Sequence, residues 1–220
     1  MSRSGGGTGF GQLFLEAGRL IGEHPVILIP AVLPSFWVLI APLARLINAR
    51  ALFAAYYVGF GAGAWRLLLY LLIYVVLLIL SQGITVILVR DATQSGSAEL
   101  GKGFEEAITR FIPLFFASIL VGVVVGAASL VFVFPALLAV FFLWYIVQSI
   151  LIGDETATGA LRNSFRFAAT YAGETFAVIL AALVIGIAFH FIPYVGWLLM
   201  IPATGYFSTL TTLLFIERET

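Results

Sequence analysis

Polar side chains recur near the ends of three apolar stretches of this chain, and hydrogen bonding to a solute is the chemistry that they could perform. The stretches read SQGITVILVRDAT, YIVQSILIGDET and FSTLTTLLFIERET. Their closing acids, Asp91, Asp154 and Glu217, are separated by 63 and 63 residues. The polar candidates inside the stretches are Gln82, Thr85, Gln148, Ser149, Ser208 and Thr211.

Three of these residues, Thr85, Gln148 and Thr211, share the 63-residue register and should lie at one depth. Two arrangements remain open for the polar set. It lines a path or cavity for a neutral solute, or it forms hydrogen bonds between helices, each worth ~0.6 kcal/mol in a membrane. We expect a ring closed by direct hydrogen bonds.

The apolar stretches contain no ionisable residue near their middles, which argues against several kinds of chemistry. Proton pumps and intramembrane ion paths need such residues. The only two histidines, His24 and His190, fall on opposite sides of the predicted membrane, and the chain has no cysteine. We therefore predict a protein that is not an enzyme, with no metal and no cofactor.

The composition is that of an integral membrane protein. Of the 220 residues, 62% are hydrophobic and 10% charged, and the mean hydropathy is +1.12. Soluble domains carry about 25% charged residues. Eleven basic and eleven acidic residues cancel, so we expect no nucleic-acid partner.

Six segments are long and apolar enough to cross a bilayer, which takes about 20 residues each. The predicted fold is therefore all-α, a polytopic bundle of six transmembrane helices. The predicted spans are Pro25–Leu46, Arg66–Val89, Phe111–Phe134, Pro135–Ile152, Tyr171–His190 and Ile192–Phe215.

Prolines and glycines mark the turns between the spans. Pro135 and Pro193 predict tight helical hairpins because proline disfavours helix in the residue before it. The first connection is longer and has room for a short helix at Ala49–Tyr57. Three prolines in the first span (30, 34 and 42) predict a kinked or interrupted helix there.

An amphipathic helix is predicted before each odd-numbered span. Its apolar stripe should lie on the headgroup boundary or on the bundle, and its basic face should meet lipid phosphate. In GALRNSFRFAAT the apolar face holds Leu161, Phe165 and Ala168, and the polar face includes Asn163. The arginines predicted for this cytoplasmic interface are Arg19, Arg110, Arg162 and Arg166.

The unit of interfacial helix, span, turn and span occurs three times. The repeats run roughly over 10–93, 98–156 and 157–220, within a single membrane domain of residues 1–220. Plain duplication and a transport role both produce such repeats.

The stretches GDETATGALRNSFRFAATYAGETFAVILAALV and FIPYVGWLLMIPATGYFSTLTTLLFIE resemble a group of six-span prokaryotic membrane proteins. The group is typified by the domain-of-unknown-function family DUF4013 and by the membrane domain of some glycerophosphodiester phosphodiesterases. The resemblance covers Asp154 to Glu217 and concerns helix boundaries. It implies a fold with an unassigned role, and no phosphodiesterase activity.

The charges predict the orientation. Eight basic residues fall on the side of the N-terminus and three on the other, so the positive-inside rule places both termini in the cytoplasm. The expected location is the inner or plasma membrane, with membrane lipids as partners.

Two functions follow as hypotheses. The first is a non-enzymatic scaffold or accessory subunit, bound to another membrane protein or to further copies of itself; Gly122 and Gly126 form a GxxxG motif that permits close helix contact. The alternative is a small transporter or channel for a neutral or lipid-like solute. A polar cavity near mid-membrane favours transport, and solid packing favours the scaffold.

Overall fold

All regular secondary structure is helical in the part of the chain that the structure describes. The structure, a computed structural model, describes residues 9–36, 60–192 and 195–219. In chain order these residues form α1 (Phe10–Glu23), a 3₁₀ helix (Pro25–Ala31), α2 (Phe60–Ser95), α3 (Leu100–Thr109), α4 (Phe111–Val131), α5 (Val133–Phe142), α6 (Ile146–Leu151), α7 (Ala157–Thr170), α8 (Ala172–His190) and α9 (Val195–Glu219).

Five of the predicted spans have counterparts among these helices. Each counterpart is long and apolar enough to cross a bilayer, which makes the chain a multi-pass helical membrane protein. The five segments are Leu72–Ser95, Phe111–Val131, Val133–Leu151, Ala172–His190 and Leu198–Glu219.

Only the beginning of the predicted first span, Pro25–Leu46, lies in the described residues. There the chain forms the 3₁₀ helix Pro25–Ala31 and stays helical to Phe36. The rest of that span and the predicted helix Ala49–Tyr57 lie outside the described residues. The sixth span and the threefold repeat therefore stay predictions.

Helices α2 and α9 form the centre of the bundle. Half of the α2 span and 61% of the α9 span are buried, against 11% for α4 and for α8. The outer helices leave large apolar side chains such as Leu130 and Leu183 exposed. In a soluble protein such a surface would drive association, but a membrane surrounds it with lipid tails.

The fourth span is interrupted, whereas the sequence predicted an interruption in the first. Helix α5 ends at Phe142 and α6 begins at Ile146. Ser164 of α7 bridges the gap: its hydroxyl donates to the Phe142 carbonyl over 2.9 Å and accepts from the Tyr145 backbone N–H over 3.0 Å. The break is stable at membrane depth because Ser164 binds the backbone groups that the helix leaves unpaired.

Helix α7 lies where the sequence placed it, but its buried face differs from the prediction. Asn163, predicted for the exposed polar face, is buried, while Phe165, predicted for the apolar face, is 52% exposed. Asn163 donates to a carboxylate oxygen of Glu219 over 2.9 Å. The inward face therefore combines apolar Ala160, Phe167 and Ala168 with two polar residues, Asn163 and Ser164, which bind the Glu219 carboxylate and the free backbone of the broken span.

Helix α3 packs on the bundle through small residues. Gly103 and Ala107 are buried, and a β-carbon at Gly103 would lie 3.3 Å from Leu88. Phe104 and Ile108, which belong to the apolar stripe of this helix, are about half exposed, at 47% and 50%. The stripe is therefore divided between contact with α2 and exposure at the edge of the bundle.

Ion pairs join the helix ends on one side of the bundle. Arg90 of α2 holds the Glu106 carboxylate of α3 through two hydrogen bonds of 2.7 Å. Arg218 of α9 holds Glu174 of α8 in the same way, over 2.8 and 3.1 Å. Together with a third pair, Arg110–Asp154, they form a charged layer at this end.

Candidate functional site: a cavity with a polar floor

A cavity of about 360 Å³ lies between the interrupted span and helices α2, α8 and α9. This volume falls within the range of small-molecule sites, about 300–1,000 Å³. Its floor is polar and its remaining wall is mostly apolar. The lining residues are Gln82, Trp144, Val147, Gln148, Ala182, Ile185, Gly186, Met200, Ala203, Thr204, Phe207, Ser208 and Thr211.

The floor lies deep in the membrane. Thr211 is seven residues from Arg218 along α9, and Gln82 is eight residues from Arg90 along α2. At 1.5 Å per helical residue, the floor is about 10–12 Å inside the charged layer. In a hydrocarbon core about 30 Å thick, this depth is about a third of the way across.

Gln148 lines the floor and carries an unpaired hydrogen-bond acceptor that is covered by the surrounding protein. Its amide nitrogen donates to the Thr211 hydroxyl over 3.4 Å. That hydroxyl uses its own hydrogen on the Phe207 or Ser208 carbonyl, each 2.9 Å away. Thr211 therefore accepts the hydrogen bond from Gln148. This identifies the amide nitrogen as the end that faces Thr211 in the ligand-free protein. The remaining amide oxygen, Gln148 Oε1, is buried without a partner among the described residues.

Gln82 and Ser208 form the second polar pair of the floor. The Ser208 hydroxyl donates to Gln82 Oε1 over 3.0 Å. Both side chains line the cavity, and Ser208 is buried. The two glutamines are therefore each hydrogen-bonded to α9 rather than to one another.

The rim of the cavity is apolar and exposed. Ile185 of α8 and Met200 of α9 are 36% and 37% exposed, in contrast to 4% for Gln148. A β-carbon at Gly186 would lie 3.9 Å from the Met200 methyl group, so the methionine tip lies over the glycine. The polarity of the lining therefore falls from the floor to the rim.

The break in the fourth span positions one wall of the cavity. Trp144 lies in the break, and Val147 and Gln148 lie in the first turn of α6 after it. Because Ser164 holds the ends of the break, these three side chains are fixed against α9. The sequence offered no proline or glycine at this point to signal the interruption.

Four of the six polar candidates line the cavity, and two lie elsewhere. Gln82, Gln148, Ser208 and Thr211 are lining residues. Thr85 is buried and donates to the Ser81 carbonyl within its own helix.

Ser149 donates to the Tyr145 carbonyl and accepts a 3.4 Å hydrogen bond from Asn163. Among the described residues, Gln148 and Thr211 are hydrogen-bonded across 63 positions of the chain, whereas Thr85 does not join them in a ring and bonds within its own helix.

Sequence reasoning missed the space itself. The wall opposite the polar floor consists of small residues, Ala182 and Gly186 on α8 and Ala203 on α9. Ala182 and Gly186 are four residues apart, which is the spacing of one helix face. Two features of the sequence could have indicated this cavity. One is the spacing of Ala182 and Gly186, and the other is Trp144, a tryptophan far from the interface belt.

The predicted interface arginines are spread over the charged end. Arg19 pairs with Glu23 over 3.0 Å, and Arg110 pairs with Asp154. Arg162 and Arg166 line a surface groove along the exposed side of α7. Arg166 also donates to the Asn163 side-chain oxygen over 2.6 Å.

Electrostatics at this end are dominated by paired groups. The Arg90 hydrogen bonds hold the pKa of the Glu106 carboxyl below its usual value, against the opposing effect of partial burial. Among the described residues, no group of three or more His, Asp or Glu side chains is arranged to hold a metal ion.

Fold and site together define a multi-pass helical membrane protein with a deep, uncharged cavity. Comparison of the chain with protein-family models, with curated proteins and with solved structures finds no match.

Proposed function

We propose that this chain is a small membrane transporter that binds a neutral solute in the cavity described above. The observation that carries the proposal is the polar floor about 10–12 Å inside the charged layer, next to the covered, unpaired Gln148 oxygen. A buried acceptor without a partner costs free energy, and a bound solute that donates a hydrogen would remove that cost.

The leading hypothesis from the sequence, a scaffold or accessory subunit, is favoured by a solidly packed core. The cavity supports the transport hypothesis instead. Gly122 and Gly126, the motif offered for contact between copies, have nothing within 4 Å of an added β-carbon among the described residues. The proposed activity is non-enzymatic.

The proposal includes a topology. Six spans in three hairpin repeats lie in the cell membrane, with both termini in the cytoplasm. The charged layer that joins Arg90, Glu106, Glu174 and Arg218 supports one polar, cytoplasmic end. Arg162 and Arg166 then face lipid phosphate at that end.

Flux into proteoliposomes tests the function. Uncharged solutes of graded size, from small polyols to a fluorescent medium-chain alcohol, are presented to wild type and to Ala203→Trp, which fills the cavity. We expect wild type to carry one solute class at least tenfold faster than empty liposomes, and Ala203→Trp to lose that flux.

Ala127→Trp, the same change at an exposed position of α4, serves as the control and should retain the flux. Flux equal to that of empty liposomes for every solute would refute transport. Undiminished flux in a folded Ala203→Trp variant would refute this route.

A further inference from the structure

The chemistry of the cavity restricts what can occupy it. The described lining offers two amides, three hydroxyls and apolar groups, and no charge. A charged ligand would lose its hydration without an opposite charge to compensate, at a cost of several kcal/mol. The occupant is therefore neutral.

Size and shape restrict it further. Met200 precedes Thr211 by eleven residues on α9, so the cavity extends for about 16 Å along that helix. A volume of 360 Å³ over that length leaves a cross-section of about 22 Å², enough for one hydrocarbon chain. An engineered cavity of about 150 Å³ holds benzene, so this one holds roughly a dozen heavy atoms.

The gradient of polarity sets the orientation of such a molecule. A polar head fits the floor at Gln148, and an apolar chain fits the wall of Ala182, Gly186 and Ala203. The exposed apolar rim at Ile185 and Met200 continues into the lipid-facing surface of α8. Methionine is flexible and adapts to irregular apolar contacts, which suits a residue past which a chain must move.

Building on the proposed function, we infer that the occupant is a neutral single-chain amphiphile with a terminal hydroxyl, which enters from the lipid phase past Met200. Its O–H donates to Gln148 Oε1. In the ligand-free structure that oxygen is covered, but the last torsion of a glutamine is soft. Turning the amide breaks the long, 3.4 Å bond to Thr211, and the hydrogen bond from the solute hydroxyl replaces it.

Quenching of one tryptophan tests the inference. The chain has four tryptophans; Trp37→Phe, Trp65→Phe and Trp197→Phe leave Trp144 in the cavity wall as the only one. This variant is placed in phospholipid nanodiscs and titrated with ten-carbon probes that carry bromine at the far end. The probes are the primary alcohol, its methyl ether and the carboxylate, which differ only in the head group.

We expect saturable quenching by the alcohol, at least fivefold tighter than by the ether, and the weakest binding by the carboxylate. Only the alcohol can donate to Gln148 at neutral pH. Unbrominated decanol should relieve the quenching, which separates binding in the cavity from partition into the bilayer. Equal affinities for alcohol and ether would overturn the inference.

Gln148→Met removes the acceptor at nearly constant volume, so alcohol and ether should then bind equally. Thr209→Val, at a buried α9 position outside the cavity lining, should keep the preference. A preference for alcohol that survives in Gln148→Met would also overturn the inference.

The proposal of transport and the inference of an amphiphilic occupant can be refuted independently of each other. If no probe binds but a small polyol crosses and Ala203→Trp blocks it, the amphiphile is wrong and transport stands. If the alcohol binds with the expected preference but nothing crosses, the occupant is right and transport is wrong.

Discussion

The Gln148 amide illustrates how one buried atom links stability to binding. Its oxygen has no partner in the part of the chain that the structure describes, and leaving a buried acceptor unpaired costs ~1–3 kcal/mol. Such a cost at a cavity floor is typical of a binding site, where stability is exchanged for function.

Gln148→Met should therefore stabilise the ligand-free protein. We expect the free energy of unfolding to rise by about 1 kcal/mol, since the unpaired acceptor disappears and the lost bond to Thr211 is long. Reversible unfolding in mixed micelles measures it. Thr209→Val, which removes a hydroxyl already bonded to the Gly205 carbonyl, is the control and should bring no gain. A less stable Gln148→Met protein would show that the oxygen is satisfied.

Glu106 should make stability depend on pH. Its pKa is lowered by the Arg90 hydrogen bonds, so the pair stabilises the fold above the unfolded-state pKa. That contribution is lost as the pH falls through the lower, folded-state pKa. Wild type should thus exceed Glu106→Gln in stability at neutral pH, and the difference should shrink on acidification.

Thermal unfolding between pH 7 and pH 3 measures this difference. Glu105→Gln, at an exposed position of the same helix, should differ little from wild type at any pH. Asp91 and Arg110 also act on the Arg90–Glu106 pair and are unchanged in both variants. A difference that stays constant with pH would contradict the assignment to Glu106.

At the scale of elements, Ser164 allows a membrane span to be discontinuous. Ser164→Ala would leave the Phe142 carbonyl and the Tyr145 N–H without their partner. We expect a loss of about 2–6 kcal/mol in the free energy of unfolding, from two backbone groups at ~1–3 kcal/mol each.

Ser118→Ala is the matched control, because the Ser118 hydroxyl donates only to the Leu114 carbonyl of its own helix. It should cost a small fraction of the Ser164 change. Equal losses for the two variants would mean that Ser164 does not hold the break together.

The 3₁₀ helix Pro25–Ala31 reaches α9 through a glycine. A β-carbon at Gly205 would lie 2.6 Å from the end of the Leu28 side chain and 3.6 Å from its α-carbon. Gly205→Leu should therefore displace the 3₁₀ helix and cost about 1–3 kcal/mol, the range for overpacked cores.

Gly122→Leu provides the comparison in the same unfolding experiment. No atom of the described residues lies within 4 Å of a β-carbon at Gly122, so we expect a side chain there to extend into lipid and to change stability little. If Gly122→Leu were as damaging as Gly205→Leu, the Gly122 face would be in contact with a further chain and not with lipid.

At the scale of the whole molecule, the charged layer and the basic residues predict one topology. Reporter fusions after Thr93, Ala157 and Thr220 should all report the cytoplasm, because eight of eleven basic residues fall on that side. Fusions near Gly61 and Pro193 should report the outside. An external signal at Thr220 would require an odd number of spans.

The positions of the helices could be read from the sequence. Apolar length, flanking charge and amphipathic spacing are local properties, and they located five spans and the helices α1, α3 and α7 within a few residues. Four of the six polar candidates also line the cavity, because uncharged polar residues within spans must face protein rather than lipid.

Only the tertiary structure decided which polar groups meet and where space remains. Thr85 and Gln148 occupy equivalent positions in the 63-residue pattern but have different surroundings. The reason is that α2 and α6 pack against different neighbouring helices at these positions. The space above the polar floor exists because Ala182, Gly186 and Ala203 come together from two helices. Asn163 and Ser164 are buried because they bind groups distant in the chain, Glu219 and the broken fourth span. Local pattern cannot determine such pairings, since the hydrogen-bond partners and the packing volume of a side chain are set by residues that only folding brings near.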